Sequence, residues 1–251
     1  MSEHVRYAVS DGVGRVTLAR PEKKNAIDRA MYAALADALR AAEGDAEVRA
    51  VLVDAEGGAF TAGNDLADFQ RGRQSWHGSP VARFLGALAE IDRPVVAAVD
   101  GIAIGIGTTL LLHCDLVVAS TSARFQTPFV DLGLVPEAAS SLLLPRLVGH
   151  GRAAAMLMLG DAVDAATMLD LGLVYAVVAP DDLAAAALGF ARRFAAKPPE
   201  AVRAAKRLLR RAPEPVADRF AAESAVFDER LASAEAQAAF ADFFARRGRG
   251  R

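Results

Sequence analysis

Apolar and polar positions in the first part of the chain alternate between strand and helix periodicities. Residues 5–18 contain two short β-like runs around Asp11 and Gly12, a pattern that predicts a β-hairpin. Asp28 is suited to cap a helix that runs to about Glu43. The N-terminal region therefore predicts a hairpin followed by one amphipathic helix.

The middle of the chain alternates strand, helix, strand, helix and strand across residues 49–119. Its apolar runs RAVLVDAE, PVVAAVDG and LVVAS predict buried strands, and residues 81–91 predict a helix between two of them. A shorter helix is expected near Leu66, with Asp65 as its cap. This order is typical of parallel βαβ units with right-handed crossovers, so we expect an α/β fold.

Helical periodicity dominates beyond Pro180, where we expect helices over 181–196, 199–211, 215–232 and 234–246. The two prolines of AAKPPE interrupt this pattern. They suggest a boundary between a core over residues 1–195 and a helical region over residues 196–251. The third helix carries apolar residues at helical spacing, which favours packing against a neighbouring subunit; these are Val216, Phe220, Phe227 and Leu231.

The composition narrows the class of protein. The chain has 251 residues, of which 53% are hydrophobic, and a formal net charge of -2, so it has no general attraction for nucleic acid or an anionic membrane. Its single cysteine excludes an internal disulfide, and the N-terminus lacks the apolar stretch of a secretory signal. No apolar run reaches the length of a membrane span. We therefore expect a cytoplasmic protein.

Two glycine-containing stretches each lie between a predicted strand and a predicted helix: GGAFTAGNDL at 57–66 and DGIAIGIGTTLLLHCD at 100–115. Backbone N–H groups are unpaired where a helix begins, and two such turns from adjacent parallel strands can aim their N–H groups at one point. That is the geometry of an oxyanion hole. A tight turn with a helix cap explains each stretch by itself equally well. Leu110 occupies the position of the third glycine in a dinucleotide fingerprint, which argues against that ligand.

The remaining residues with reactive side chains form no recognisable constellation. His113 and Cys114 are neighbours, but the other histidines show no metal-ligand spacing, so we expect no metal site. Cys114 is interpreted as a small buried hydrophobe. Trp76 and His77 lie in a polar stretch, where they are either surface residues or residues that close over a ligand.

Glu137 is the one charged residue in LGLVPEAASSLLLP, residues 132–145. A carboxylate in an apolar setting costs free energy unless something compensates it. One interpretation is a helix-start carboxylate, with Pro136 in the first turn and Glu137 near the positive end of the helix dipole. The other is a general base whose pKa is raised by burial. The residues alone leave both open.

Taken together, these stretches resemble the crotonase, or enoyl-CoA hydratase/isomerase, superfamily. The resemblance covers almost the whole chain and keeps the family order of motifs. It implies an α/β, crotonase-like fold with a spiral core of ββα repeats. It also implies a helical C-terminal region that covers the active site and builds a homotrimer, often stacked as a dimer of trimers. The motifs are RPEKKNAID, FTAGNDL, PVVAAVDGIAIGIGTTLLLHCDLVVAS, ARFQTPFVDLGLVPEAASS and GLVYAVV.

The resemblance further implies an acyl-CoA thioester as substrate, with coenzyme A as part of the substrate and no separate cofactor. Two backbone N–H groups would hold the thioester oxygen, and by motif position they belong to Ala62 and Ile106, or to Gly107 if the alignment slips by one residue. The residues implied to contact coenzyme A or the acyl group are Lys24, Asn25, Ala26, Ala62, Gly63, Asn64, Asp65, Leu66 and Phe129.

One departure from the family pattern bears on the reaction. Hydratases of this family carry two glutamates, and the matching positions here are Thr109 and Phe129. Glu137 instead resembles the catalytic base of peroxisomal-type Δ3,Δ2-enoyl-CoA isomerases. The resemblance therefore implies an isomerase that uses one carboxylate. The alternatives are a hydratase-type activity of the same superfamily and an acyl-CoA-binding protein without catalysis.

Overall fold

A six-stranded sheet lies at the centre of the computed structural model, which describes residues 2–70 and 77–248. The chain order of strands is β1 (Val5–Ser10), β2 (Val13–Leu18), β3 (Ala50–Ala55), β4 (Val95–Val99), β5 (Ile102–Ile104), β6 (Leu116–Ser120), β7 (Arg124–Gln126), β8 (Val163–Asp164) and β9 (Ala176–Val178). The large sheet has the order β1-β2-β3-β4-β6-β9, and the second sheet has the order β5-β7-β8.

The pairing of the strands agrees with the sequence pattern. β1 and β2 form the predicted antiparallel hairpin, with Ser10 opposite Val13 across the turn. Every later pair in the large sheet is parallel. The prediction of parallel βαβ units over residues 49–119 is therefore confirmed.

The helices are α1 (Arg29–Gly44), α2 (Leu66–Gln70), α3 (Pro80–Glu90), α4 (Ile106–Thr109), α5 (Ser140–Val148), α6 (His150–Met158), α7 (Ala165–Asp170), α8 (Leu183–Ala195), α9 (Pro199–Leu209), α10 (Val216–Leu231) and α11 (Ala234–Gly248). Asp28 caps α1 as predicted, because its Oδ1 accepts from the Met31 N–H at 2.8 Å. The four helices expected after Pro180 are present as α8 to α11, with shifts of a few residues at their ends.

The segment of residues 100–115 departs from the predicted strand, turn and helix. The three residues of β5 pair with β7 in the second sheet, and α4 has only four residues before a 3-10 turn over Leu110–His113. Periodicity missed β5 because three residues are too few to display it. The chain therefore crosses between the two sheets where the glycines lie.

The large sheet is covered on both faces. In β3, Val51 and Val53 belong to the cluster that includes α1 and α3, whereas Ala50 and Leu52 belong to the cluster that includes α8. Burial on both faces explains why this strand is apolar throughout instead of alternating.

The C-terminal helices differ in how they are held. In α9, the Lys206 Nζ donates to Asp115 Oδ2 and to the Arg93 carbonyl, each at 2.6 Å. Within the described residues, α10 buries no side chain, and the four apolar residues of its predicted stripe are all exposed. The exposed stripe is confirmed, and its packing against another subunit remains a prediction. Among the described residues, no helix is both long and apolar enough to cross a membrane.

Candidate active site

The two glycine-containing turns lie directly against each other. The Thr61 N–H donates to the Ile102 carbonyl, and the Ile104 N–H donates to the Thr61 carbonyl, both at 3.0 Å. Gly63 has a φ of +90°, and a Cβ at this position would lie 2.7 Å from the Ile104 oxygen. Only glycine combines that conformation with so close an approach. The two turns are therefore in direct contact, which an oxyanion hole built from both would require.

Gly107 brings the start of α4 close to the first turn. A Cβ at residue 107 would lie 2.5 Å from Thr61 Cγ2, so any larger residue would push the two turns apart. The glycine is thus needed for packing between the turns.

The backbone N–H groups of the first turn do not have the roles predicted from motif position. The Ala62 N–H donates to the Lys24 carbonyl at 2.8 Å, which contradicts the predicted role of Ala62 as an oxyanion donor. Within residues 2–70 and 77–248, the N–H groups of Asn64 and Ile106 donate to no protein acceptor. These two groups are therefore available to a ligand, and so is the N–H of Gly107, for which no acceptor occurs among the same residues.

Local hydrogen bonding explains why the Asn64 N–H is unpaired. The Ile27 N–H donates to the Gly63 carbonyl at 2.7 Å, and the Asp65 N–H donates to the Ile27 carbonyl at 2.9 Å. In a parallel bridge of this kind, the flanking residues make both hydrogen bonds. The N–H and C=O groups of the central residue, here Asn64, therefore point away from Ile27. Ile106 is the first residue of α4, and its N–H has no helical acceptor.

Tyr32 is a site residue that the sequence pattern did not single out. Its side chain is 2% exposed, and its hydroxyl donates to Asn64 Oδ1. Burial raises the pKa of Tyr32 well above its ordinary value, and the negative charge of Glu137 adds to the rise. A signal was available in the sequence, because a tyrosine on the buried stripe of α1 needs a partner for its hydroxyl.

Glu137 lies beside the second turn and is bonded to it. The Thr109 hydroxyl donates to Glu137 Oε1 at 2.8 Å. Burial raises the pKa of the Glu137 carboxyl, and the hydrogen bond from Thr109 opposes part of that rise. Among residues 2–70 and 77–248, no arginine or lysine contributes to the shift, so none of the described cations holds the carboxylate as an ion pair. Such a group is suited to accept and return a proton.

The backbone around Glu137 excludes the interpretation as a helix-start carboxylate. Helix α5 begins at Ser140, three residues later, and Pro136 therefore lies outside its first turn. The Glu137 carbonyl accepts from the Ser140 N–H at 3.0 Å and from the Ser140 hydroxyl at 2.7 Å. The helix thus fixes the backbone of Glu137 and leaves its side chain for the site.

Asn25, one of the predicted coenzyme A contacts, is fully buried. Its Nδ2 donates to the carbonyls of Glu56 and Ala59, at 2.8 and 2.7 Å, and its Oδ1 accepts from the Arg20 N–H at 2.7 Å. This contradicts a role for the Asn25 side chain in contacting ligand, because its polar atoms hold the two loops together.

The other predicted contacts have mixed environments. Lys24 and Leu66 are exposed, whereas Ala26 is half-buried. Asp65 accepts from Arg20 Nη1 at 2.8 Å, and this hydrogen bond is the main reason that the pKa of Asp65 is lowered. Phe129 is 6% exposed and packs beneath the Gly105 turn.

Apart from Glu137, the residues that the sequence suggested for chemistry are poorly suited to it. Burial raises the pKa of the Cys114 thiol to about 12, so the thiolate required of a nucleophile is scarce at neutral pH. No group of three histidine, cysteine, aspartate or glutamate side chains suited to a metal occurs in the part of the chain that the structure describes. Trp76 lies outside the described residues, and His77 is exposed.

Comparisons with known proteins show the family to which the chain belongs. The family model described as enoyl-CoA hydratase/isomerase matches residues 8–249. A 1,2-epoxyphenylacetyl-CoA isomerase from Escherichia coli is 37% identical over 205 residues, which cover 79% of this chain and 78% of that protein. Enoyl-CoA delta isomerase 2 from Rattus norvegicus is 36% identical over 216 residues, which cover 84% of this chain and 55% of that longer protein.

A solved structure gives the same result for the fold. The enoyl-CoA hydratase/isomerase from Pseudoalteromonas atlantica T6c superimposes with a TM-score of 0.80 and 43% sequence identity, and covers 97% of this chain and 98% of that one. The crotonase-like fold expected from the sequence is therefore confirmed. The chain is a member of the enoyl-CoA hydratase/isomerase family.

Proposed function

We propose that this protein is a Δ3,Δ2-enoyl-CoA isomerase, which moves a double bond of an acyl-CoA thioester by a 1,3-proton transfer. The observation that carries the proposal is the Glu137 carboxylate, half-buried and bonded by Thr109 beside two turns with unpaired N–H groups. Glu137 can act as both base and acid on one face of the substrate.

The proposed reaction proceeds through a dienolate. Glu137 removes a proton from C2, and the electrons of the broken C–H bond are delocalised onto the thioester oxygen. The N–H groups of Asn64 and Ile106 donate to that oxygen as its negative charge develops. Protonated Glu137 then delivers the proton to C4, which leaves the double bond between C2 and C3 and restores the carboxylate.

The electrostatics of Glu137 support this role. Burial raises the pKa of the carboxyl, which makes the carboxylate a stronger base toward C2. The Thr109 hydrogen bond favours the ionised form and opposes part of that rise. These opposing effects suit a group that must first take a proton and then release it.

Hydration would require a different arrangement. Addition of water needs polar groups that position the water and move two protons. The Thr109 hydroxyl already donates to Glu137, and Phe129 is an apolar residue in the core. The two relatives described above are named isomerases and others are named probable hydratases, so the proposal rests on the geometry of Glu137 and not on these names.

The substrate and assembly belong to the same proposal. The exposed Lys24 lies on the loop whose carbonyl accepts from Ala62, where its charge suits a coenzyme A phosphate. The exposed apolar stripe of α10 supports assembly as a homotrimer or a dimer of trimers. Coenzyme A arrives as part of the substrate, and the proposed reaction uses no other cofactor.

Turnover with two substrates tests the proposal. We expect the protein to convert 3-enoyl-CoA to 2-enoyl-CoA, to hydrate 2-enoyl-CoA slowly, and to lose isomerisation in Glu137→Gln. Glu90→Gln, which alters an exposed glutamate on α3, is the matched control and is expected to keep full activity. Rapid hydration of 2-enoyl-CoA that survives Glu137→Gln would contradict the proposal. Binding of acyl-CoA without deuterium exchange at C2 would favour the non-catalytic alternative.

A further inference from the structure

The segment that carries Glu137 has a strained backbone. Ala138 and Ala139 follow the glutamate and have φ values of +54° and +55°. Consecutive left-handed residues that are not glycine persist only where surrounding contacts enforce them, and such strain is typical of functional sites. The contacts that impose this conformation therefore also decide where the Glu137 side chain lies.

One of these contacts comes from His113. Its Nε2 lies 2.9 Å from the Ala138 carbonyl oxygen, and because a carbonyl only accepts, Nε2 carries the proton and donates. Burial lowers the pKa of the His113 imidazole, so the ring is neutral at physiological pH. The bond holds the peptide group between Ala138 and Ala139, which is the second peptide group after Glu137.

A single continuous segment, residues 106–113, bonds to the base and to the residue after it. It begins with the unpaired N–H of Ile106 and continues through Thr109, whose hydroxyl donates to the Glu137 carboxylate. It ends at His113, which donates to Ala138. The side chain of the base and the backbone of the next residue are therefore both tied to the segment that supplies the oxyanion N–H.

The far side of this segment is anchored by Arg210, just after α9. Its guanidinium donates to the His113 carbonyl at 3.2 Å and to the Ile91 carbonyl at 2.8 Å. The histidine backbone is thus fixed independently of its ring. Changing the ring should remove the bond to Ala138 without releasing the segment.

We propose that His113 is a positioning residue, which sets the distance between Glu137 and the oxyanion N–H of Ile106 by holding the Ala138 carbonyl. The inference rests on the proposed isomerase function and adds to it. Glu137 must reach both C2 and C4 of one bound substrate, so a displaced carboxylate loses rate more than it loses substrate affinity.

Steady-state kinetics of three variants test this role. His113→Ala is expected to lower kcat for 3-enoyl-CoA isomerisation by about 10- to 100-fold with little change in acyl-CoA affinity by calorimetry. His113→Gln is expected to restore most of kcat, because its amide nitrogen can donate from nearly the place of Nε2. Cys114→Ala alters the adjacent residue, lacks any link to Ala138, and is expected to behave as wild type.

Two kinetic results would overturn the inference. One is an unchanged kcat in a folded His113→Ala variant. The other is equal loss of kcat in His113→Gln and His113→Ala, since loss without rescue by a donor indicates a purely structural role.

Crystal structures of the same variants separate this inference from the proposed function. In His113→Ala we expect loss of the Thr109–Glu137 hydrogen bond and relaxation of Ala138 and Ala139, with both features retained in His113→Gln. If the wild type fails to isomerise 3-enoyl-CoA but the variant structures show these changes, the isomerase proposal fails and the positioning role stands. An undisplaced Glu137 in His113→Ala would refute the positioning role whatever the activity.

Discussion

Glu137 and Asp65 are two carboxylates of the same site with opposite surroundings. Asp65 accepts from Arg20 and its pKa is lowered, mainly by that hydrogen bond. Glu137 has no cationic partner within the described part of the chain, and its pKa is raised, mainly by burial. The comparison teaches that Asp65 is held in its charged state to fix a turn, whereas Glu137 is placed where gaining a proton is easy.

The largest expected effect comes from the carboxylate assigned to chemistry. Glu137→Gln keeps the shape of the side chain and its contact with Thr109 but removes the base, so we expect kcat to fall by about 10²–10⁴-fold. Thermal unfolding should show no loss of stability, because the variant removes a poorly solvated charge. A variant with near-normal kcat would remove the distinction between the two carboxylates.

The second effect falls on the carboxylate assigned to structure. Asp65→Asn removes the charged hydrogen bond with Arg20, and we expect the free energy of unfolding to fall by about 1.5–3 kcal/mol. The measurement is urea denaturation of the variant and of wild type. The kcat of the folded variant should fall far less than in Glu137→Gln. Abolished kcat at full stability would mean that Asp65 takes part in the reaction.

The two carboxyls should also give opposite contributions to stability as pH changes. Asp65 has a lowered pKa in the folded state, so its contribution is present above its unfolded pKa and is lost as pH falls through its folded pKa. Glu137 has a raised pKa, so its contribution is favourable at low pH and declines as pH rises from its unfolded pKa to its folded pKa.

Urea denaturation across pH measures this opposition. Asp65→Asn should flatten the acid-side loss of stability, and Glu137→Gln should reduce the decline that begins above the ordinary glutamate pKa. If the free energy of unfolding varied with pH in the same way in both variants, the two carboxyls would not have the opposite pKa shifts.

The smallest effect concerns the hydrogen bond from Thr109, which opposes the rise in the pKa of Glu137. Thr109→Val removes the hydroxyl donor while keeping the β-branched shape, so the pKa of Glu137 should rise further. The acid limb of the kcat/KM profile, where protonated Glu137 cannot accept from C2, should move to higher pH. Thr108→Val is unsuitable as a control because Thr108 bonds to backbone carbonyls. Thr121→Val, at an exposed position just after β6, is suitable. An unmoved limb would show that Thr109 does not tune the base.

The sequence was sufficient to predict much of the fold. Long apolar runs and helix caps such as Asp28 have local causes, and the structure confirms them. Glu137 could be identified because a charge among apolar residues requires an explanation wherever the chain places it. The three-residue strand β5 was missed because its pairing with β7 depends on contacts that are distant in sequence.

The finer geometry of the site could not be predicted. Whether the Ala62 N–H is unpaired depends on Lys24, which lies in another loop and adopts a left-handed conformation. Tyr32 and His113 act through partners that lie 32 and 25 residues away in sequence, and no periodicity reports such pairs. Motif position located the turns, but only the hydrogen bonds show which N–H groups remain unpaired.

The most direct test of the central claim follows the proton itself. A 3-enoyl-CoA that carries deuterium at C2 is incubated with wild type and with Glu137→Gln, and the product is examined by mass spectrometry and NMR. If Glu137 alone transfers the proton, wild-type product carries some deuterium at C4, and Glu137→Gln forms almost no product. Isomerisation by Glu137→Gln at a rate close to that of wild type would contradict the account.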